Sequence, residues 1–360
     1  MTVPLFDSST ALKPLRDELR AAVARVLDSG RYILGPEVEA FEHEFAAYCG
    51  VKHAVGVANG TEAITVALRA MGVGPGDEVL VPSFTFYASA EAIPPTGATP
   101  VFCDIDPQTF CINAETVAEA LTPRTKAVIA VHLFGNVAPV GEIEELGVPV
   151  LEDAAQSAGS TGKHGRPGSL GRAATFSFFP SKNLGCFGDG GMVLTSEEDV
   201  AERARVLRFH GSHDKVTYDL LGYNSRLDEL QAAILRVQLP HLDGWSDGRR
   251  RAAGDYRELS LGDLVTLPRP TVGSEPAWHL YVVRHPEADR LAAALGEAGI
   301  GCRAYYRTPV HAQPAMRAWG QGLDLPGTEE AARTHLAIPI SPVLSREQVE
   351  QVVGAVRAAL

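Results

Sequence analysis

The 360-residue chain has no apolar run long enough to span a bilayer. Its first residues lack the charged and apolar regions of a signal peptide. Cysteine is scarce. The five present form no Cys-x-x-Cys pair, which fits a reducing cytoplasm better than a disulfide framework. Positive charge is in deficit, with 32 Lys and Arg against 44 Asp and Glu and a net charge of -12. That balance repels phosphate backbones and argues against nucleic acid as a partner, though a small anion can still bind through local donors. There is no Gly-x-x-x-x-Gly-Lys-Ser/Thr loop, no Gly-x-Gly-x-x-Gly after a strand and no His-Glu-x-x-His. His210, His213 and His311 lack ligand spacing, so no metal site is expected. No internal repeat and no low-complexity segment is present.

What is present is alternation. Leu12, Leu15, Leu19, Val23 and Val26 sit at helical spacing, and Val38, Phe41, Phe45 and Tyr48 mark a second helix. Strands are expected at 54–58, 78–81, 99–105, 127–134, 148–151, 174–179 and 192–195, with helices between most of them. A helix is expected from Pro82-Ser-Phe-Thr-Phe86 through Ile93, and another starting at Asn224. Strands alternating with helices give an α/β fold, a mainly parallel sheet covered on both faces, with ligands beyond the carboxyl ends of its strands. Beyond about Leu239 comes a basic amphipathic helix. Strands at 279–284 and 302–306, a helix at 290–298 and a terminal helix from Arg346 then suggest a smaller α+β unit.

Three junctions carry chemistry. Lys182 follows the apolar run Ala174–Phe179 and Pro180, among aromatics and glycines. Desolvation there favours the neutral amine, a nucleophile able to form a Schiff base. Ala54–Ala58 runs into Asn59-Gly-Thr-Glu62, a strand-to-helix turn whose free N–H groups suit a phosphate. Val148–Leu151 ends in Glu152-Asp153, with Gln156 three residues on. Each junction also has an ordinary structural explanation: a snorkelling lysine, helix capping, and an acid at a helix start.

Taken together these are the parts that pyridoxal phosphate needs. The stretches GRYILGPEVEAFE, ANGTEAI, GVGPGDEVLVPSFTF, LEDAAQSAG, FSFFPSKNLGCFGDGG and NSRLDELQAAIL resemble the DegT/DnrJ/EryC1/StrS sugar aminotransferases, within fold-type I. The resemblance implies a large domain over residues 12–240, with a mainly parallel sheet of seven strands. It implies a smaller α+β domain over 241–360, with residues 1–11 packing against it. It implies pyridoxal 5'-phosphate as cofactor. Lys182 would carry it and later move a proton between carbon centres. Asp153 would pair with the ring nitrogen and Gln156 would face the ring oxygen. Phe86 would stack on the ring, Gly60, Thr61 and Ser177 would hold the phosphate, and Asn224 would reach the phosphate of a neighbouring subunit in a homodimer with shared sites. Gly30, Tyr32, Ser181, Arg226, Tyr305 and Tyr306 would contact a nucleotide-linked keto sugar, with L-glutamate as amino donor.

The likeness points first to a 3-keto sugar. A 4-keto sugar comes second, because Tyr305 stands where the uronate-specific subgroup is expected to carry histidine. Lys182, where dehydratase relatives carry histidine, favours transamination. Two other classes compete. Asp104-Ile-Asp106 has the shape of a glycosyltransferase metal motif. A non-enzymatic regulator is the other, and the lack of a basic recognition helix argues against it.

Overall fold

The computed structural model describes residues 3–7 and 9–360. Residues 1, 2 and 8 of the expected N-terminal packing segment lie outside the described residues. The main sheet has seven strands: β1 (His53–Val57), β2 (Glu78–Pro82), β3 (Thr99–Cys103), β4 (Thr125–Val131), β5 (Val150–Asp153), β6 (Ala173–Ser177) and β7 (Gly191–Thr195). They lie in the order β1-β7-β6-β5-β4-β2-β3, and β7 alone runs against its neighbours. β2, β5 and β7 are buried along their whole length, which is why Val79–Val81 and Met192–Leu194 read as continuous apolar runs rather than alternating ones.

Ile64 and Leu68 of helix Gly60–Ala70 join Val79, Leu80 and Ile129 in one buried cluster. Phe41 and Phe45 of helix Pro36–Cys49 join Phe176, Phe178 and Leu235 in another. The Phe45 ring meets Phe176 and Phe178 edge-on at 5.0 and 5.3 Å, the arrangement aromatic quadrupoles favour. A second, two-stranded sheet pairs β8 (Tyr281–Arg284) with β9 (His335–Ile338) in antiparallel fashion. Helices Ala288–Glu297 and Arg346–Ala359 cover it through Leu291, Leu295, Val349, Val352 and Val356. Val3 belongs to that cluster. Its carbonyl accepts from Gly301 N–H at 2.8 Å, and Leu5 O accepts from Ile340 N–H at 3.1 Å.

The start of helix Pro36–Cys49 is closed from far away. Gly35, at its N-cap, has no side chain to offer the free N–H groups. The buried carboxylate of Glu229 takes their place. It accepts from Gly35, Glu37 and Val38 N–H at 2.8, 2.9 and 2.8 Å, and sits on the positive end of the helix dipole. From the same helix, Glu229–Gln238, Arg236 pairs with Glu37 and Glu44. Much of NSRLDELQAAIL is therefore a clamp between two helices.

Several elements differ from the sequence reading. The helix expected from Asn224 begins at Glu229, because residues 224 and 228 are spent on single bridges to Phe209 and Ile33. The helix expected through Ile93 is only Ala88–Glu91, cut short by Pro94-Pro95. Strand β4 stops at Val131, since Phe134 turns left-handed at φ 60°. The strand expected at Cys302–Tyr306 is not formed. Arg303 makes one bridge to Ala337, and Tyr306 N–H goes to His335 Nε2 at 3.2 Å instead of to a neighbouring strand. β9 is the strand that pairs with β8, and its short run Leu336-Ala-Ile338 carries no alternation to mark it in the sequence.

Glu229→Ala should leave three N–H groups unpaired, two of them buried. Urea unfolding is expected to show a loss of about 3 kcal/mol. A loss under about 1 kcal/mol would mean the helix start finds other acceptors.

Candidate active site

The sheet register gathers the site. Val57 and Ser177 both lie opposite Gly191, and Asp153 lies beside both Val131 and Thr175. The carboxyl ends of β1, β4, β5 and β6 thus open onto one edge. There a cavity of about 350 Å³ is lined by Gly60, Thr61, Phe86, Asp153, Gln156, Ser177, Ser181, Lys182, Tyr305 and Tyr306. Ten of the residues singled out in the sequence therefore meet in one place.

Lys182 is set by the turn that leaves β6. Its N–H donates to Phe179 O at 2.8 Å, and the glycine-rich loop returns so that Cys186 N–H reaches Phe178 O, also at 2.8 Å. Gln231 and Gln238 hold that loop from behind, accepting from Phe187 N–H at 2.9 Å and donating to Gly185 O at 2.8 Å. Burial brings the Lys182 amine down to about 8, against a weaker upward pull from the charge of Asp153.

Asp153 is nearly buried at the end of β5. Its Oδ2 accepts from Ser89 Oγ at 2.7 Å and its Oδ1 from Ala155 N–H at 3.2 Å. The side chain before it, Glu152, is fully buried and anchors the strand end. Glu152 accepts from Gly168, Leu170 and Gly171 N–H at 2.8–2.9 Å, and pairs with His132 Nε2 at 2.8 Å. Because Ala138 N–H donates to His132 Nδ1 at 3.0 Å, the ring proton sits on Nε2 and points at the carboxylate. Gln156 Oε1 accepts from Phe134 N–H at 2.7 Å, so its amide nitrogen is free to reach Tyr306 Oη at 3.2 Å. Tyr306 stacks on Phe134 at 5.8 Å, and burial pushes its hydroxyl up, keeping it neutral.

The third wall is the start of helix Gly60–Ala70. Asn59 caps it, its side chain accepting from Glu62 N–H at 2.8 Å. The N–H groups of Gly60 and Thr61 are the first of the helix, and this helix start lines the cavity against Ser177. This corner tolerates no side chain. A Cβ on Gly60 would lie 2.7 Å from Ser177 Cβ, and one on Gly191 only 2.3 Å from Asn59 O.

Four singled-out residues lie outside this chain's cavity. Gly30 ends helix Arg16–Ser29 with φ 64°, Tyr32 is exposed, Asn224 is exposed and Arg226 is part-buried. Asp104-Ile-Asp106 is spent on structure: Asp104 accepts from Gly327 and Thr328 N–H, and Asp106 from Gln108 N–H and Thr109 Oγ1. That overturns the metal-motif reading of the pair. His311 bonds Ser83 Oγ. Sequence reasoning missed Ser89, His279 and Phe6, which also line the cavity. Ser89 and His279 stand in ordinary helical and strand patterns with no local signal. Phe6 arrives on the N-terminal segment.

An amine near 8 should react as a nucleophile at neutral pH. Labelling with an amine-selective reagent, read residue by residue by mass spectrometry, should rise through about pH 8 at Lys182. An ordinary lysine rises near ~10. A Lys182 midpoint at the ordinary value would show that its amine is solvated.

Comparison with known proteins gives the same direction. The family model described as the DegT/DnrJ/EryC1/StrS aminotransferase family matches residues 14–357. A dTDP-3-amino-3,4,6-trideoxy-alpha-D-glucose transaminase from Streptomyces venezuelae is 47% identical, covering 99% of this chain and 95% of its own. A protein from Geobacillus stearothermophilus described as a pleiotropic regulatory protein is 46% identical, over 98% and 97% of the two chains. The crystal structure of S. venezuelae DesV in complex with a ketimine intermediate superposes with a TM-score of 0.94 at 46% identity, covering 99% and 98%. The chain belongs to the DegT/DnrJ/EryC1/StrS aminotransferase family and is an aminotransferase dependent on pyridoxal phosphate.

Proposed function

We propose that the enzyme moves the amino group of L-glutamate onto the keto group of a nucleotide-linked sugar, a 3-keto sugar first and a 4-keto sugar second. The observation that carries this reading is the meeting of Lys182, Asp153 and a bare helix start in one cavity. Relatives 43–47% identical over 99% of the chain are named for 3-amino nucleotide sugars, which supports the keto position.

The residues present fit pyridoxal phosphate. A cup in which Gly60 and Gly191 admit no Cβ, fronted by free N–H groups and Ser177, suits a phosphate. When bound, the cofactor supplies a carbonyl carbon for amines and a ring that draws electrons from the adjoining carbon. Lys182 Nζ is the group that would hold that carbon. Asp153, its carboxylate oriented by Ser89, would keep a proton on the ring nitrogen. Gln156, fixed by Phe134 N–H, would face the ring oxygen, and Phe86 would cover the ring face. Gly60, Thr61 and Ser177 would bind the phosphate. Once displaced, the Lys182 amine would take and return the proton in both half-reactions. Ser181, Tyr305 and Tyr306 would line the path of the sugar, with Gly30, Tyr32 and Arg226 further out.

The homodimer is part of this reading. Among the described cavity-lining residues Lys182 is the sole lysine or arginine, yet the ligands carry a phosphate, a diphosphate and two carboxylates. The missing donors must come from outside this chain's cavity. Asn224 and Arg226, beside the polar 211–223 segment, stand ready to supply them to a neighbouring copy. The exposed apolar side chains Leu27, Tyr32, Phe187 and Leu221 favour such a contact. No helix among the described residues is long and apolar enough to cross a membrane, and the five cysteines are free, which supports a cytoplasmic location.

Two experiments test the proposal. Enzyme loaded with pyridoxamine phosphate, mixed with 3-keto and 4-keto UDP- and dTDP-sugars, should regain its visible absorption band fastest with a 3-keto sugar. Recovery only with simple keto acids would make it an amino-acid aminotransferase. Separately, mixing inactive Lys182→Ala with inactive Asn224→Ala subunits should restore part of the activity through mixed dimers. Proven subunit exchange with no return of activity would end the shared-site idea.

A further inference from the structure

His335 opens β9 and is fully buried, and it takes no part in the chemistry proposed so far. Its ring lies between two kinds of partner. Nδ1 faces two carbonyls of helix Pro326–Thr334, Ala331 O at 2.8 Å and Ala332 O at 3.2 Å. Carbonyls only accept, so Nδ1 carries the ring proton. Nε2 receives the Tyr306 N–H at 3.2 Å, and an N–H only donates, so Nε2 is bare. One tautomer of the neutral ring meets every partner. A charged ring would set its Nε2–H against the Tyr306 N–H. Burial, the largest cause, holds the His335 pKa down at about 4, which keeps the ring neutral near pH 7. The charged groups beside it, Arg307 and Asp289, pair with each other, and Arg307 also donates to Ala332 O at 3.1 Å.

Tyr306 carries this anchor to the cavity wall. Its ring stacks on Phe134 at 5.8 Å and meets Phe84 edge-on at 5.6 Å. Phe84 in turn meets the His335 ring edge-on at 5.1 Å. Gln156 Nε2 donates to Tyr306 Oη at 3.2 Å, while Gln156 Oε1 is committed to Phe134 N–H at 2.7 Å. The amide therefore cannot turn over, and the Tyr306 oxygen is the acceptor in its bond. The Tyr306 hydroxyl proton has no acceptor among the described residues. A train of bonds thus runs from Ala331 O through His335, Tyr306 and Gln156 to Phe134 N–H. It ties the small sheet to the cavity residue that would face the cofactor ring.

We propose that His335 is a positioning residue for the transamination. By accepting the Tyr306 N–H it fixes the Tyr306 hydroxyl against Gln156 and leaves the hydroxyl proton for an acceptor oxygen of the bound keto substrate. The ring is needed because Tyr306 pairs with no strand, and its N–H has no other acceptor among the described residues. The proposal rests on the reading that brings a keto sugar beside Tyr306.

Two amide variants separate the two ends of the ring. His335→Asn keeps a donor where Nδ1 stands and has no atom at Nε2. His335→Gln keeps an acceptor oxygen within reach of the Tyr306 N–H. The first reading is made on cofactor-free protein labelled with 15N-tyrosine, which carries nine such residues. Loss of one hydrogen bond should speed exchange of the Tyr306 N–H about tenfold in His335→Asn, while His335→Gln stays near wild type. In wild type, 15N-histidine spectra should show His335 protonated on Nδ1 and bare on Nε2. The second reading is the KM for the keto acceptor that restores the visible band. It should rise about tenfold in His335→Asn with kcat little changed, and return in His335→Gln. Tyr306→Phe keeps the anchor and removes the hydroxyl, and should raise KM by a like factor. Unchanged exchange in His335→Asn, a protonated Nε2 in wild type, or an unchanged KM in Tyr306→Phe overturns the proposal. So does a KM that follows the melting temperatures of the variants instead of their exchange rates. If only simple keto acids restore the band, the sugar reading falls, while exchange and tautomer still decide whether His335 holds Tyr306.

Discussion

One amine held away from water is the constraint on which the rest of the site depends. A lysine near 8 exists only where the protein withholds solvent without supplying a close counter-charge. The fold meets both conditions. β6 is buried along most of its length and delivers Lys182 at its mouth, and the loop after it doubles back on Phe178. Asp153 is near enough to be felt and is satisfied by Ser89 and Ala155, so it does not bind the lysine outright. The reversed strand β7 completes the arrangement. Only with β7 between β1 and β6 can the start of helix Gly60–Ala70 stand against Ser177.

The layer beneath is built of buried charge. Glu152 sits one residue before Asp153, and the two-residue period of a strand sends their side chains to opposite faces. Three backbone N–H groups and the His132 ring satisfy Glu152 and fix the end of β5. Asp153 is thereby aimed by its neighbour as much as by its own bonds. The adjacent acids Glu152-Asp153 thus divide the work: one holds the strand and the other faces the cavity.

The sequence revealed the parts that depend on local order. The α/β alternation, the strand-end Asp153, the Asn59-Gly60-Thr61 turn and the isolated Lys182 are all readable because each lies within a few residues of the element that positions it. What was not readable depends on distance. The His279 ring at the cavity wall is oriented by Asn183, 96 positions earlier. Ser89 matters through Asp153, 64 positions on. The segment Cys302–Tyr306 has a strand's composition, but the His335 ring captures one of its N–H groups. Asp104 and Asp106 are the reverse case, a motif-like pair, already disfavoured as a metal site, whose carboxylates are both committed to backbone. NSRLDELQAAIL was legible as a signature, while the structural duties of Glu229 and Arg236 became visible only in three dimensions.

The cap that Glu229 places on Pro36–Cys49 also sets an order of events during synthesis. Val38 and Glu229 are 191 positions apart. At roughly 5–20 residues per second, a ribosome takes on the order of ten to forty seconds to deliver the acid after the helix it closes. Until residue 229 is made the helix has a Gly35 start with no side-chain cap, and until residues 176–178 are made its apolar face, Phe41 and Phe45, lacks Phe176 and Phe178. The first third of the nascent chain must therefore wait, exposed, for its second half. Helix Pro36–Cys49 thus waits longer for its cap than the catalytic loop waits for its strand.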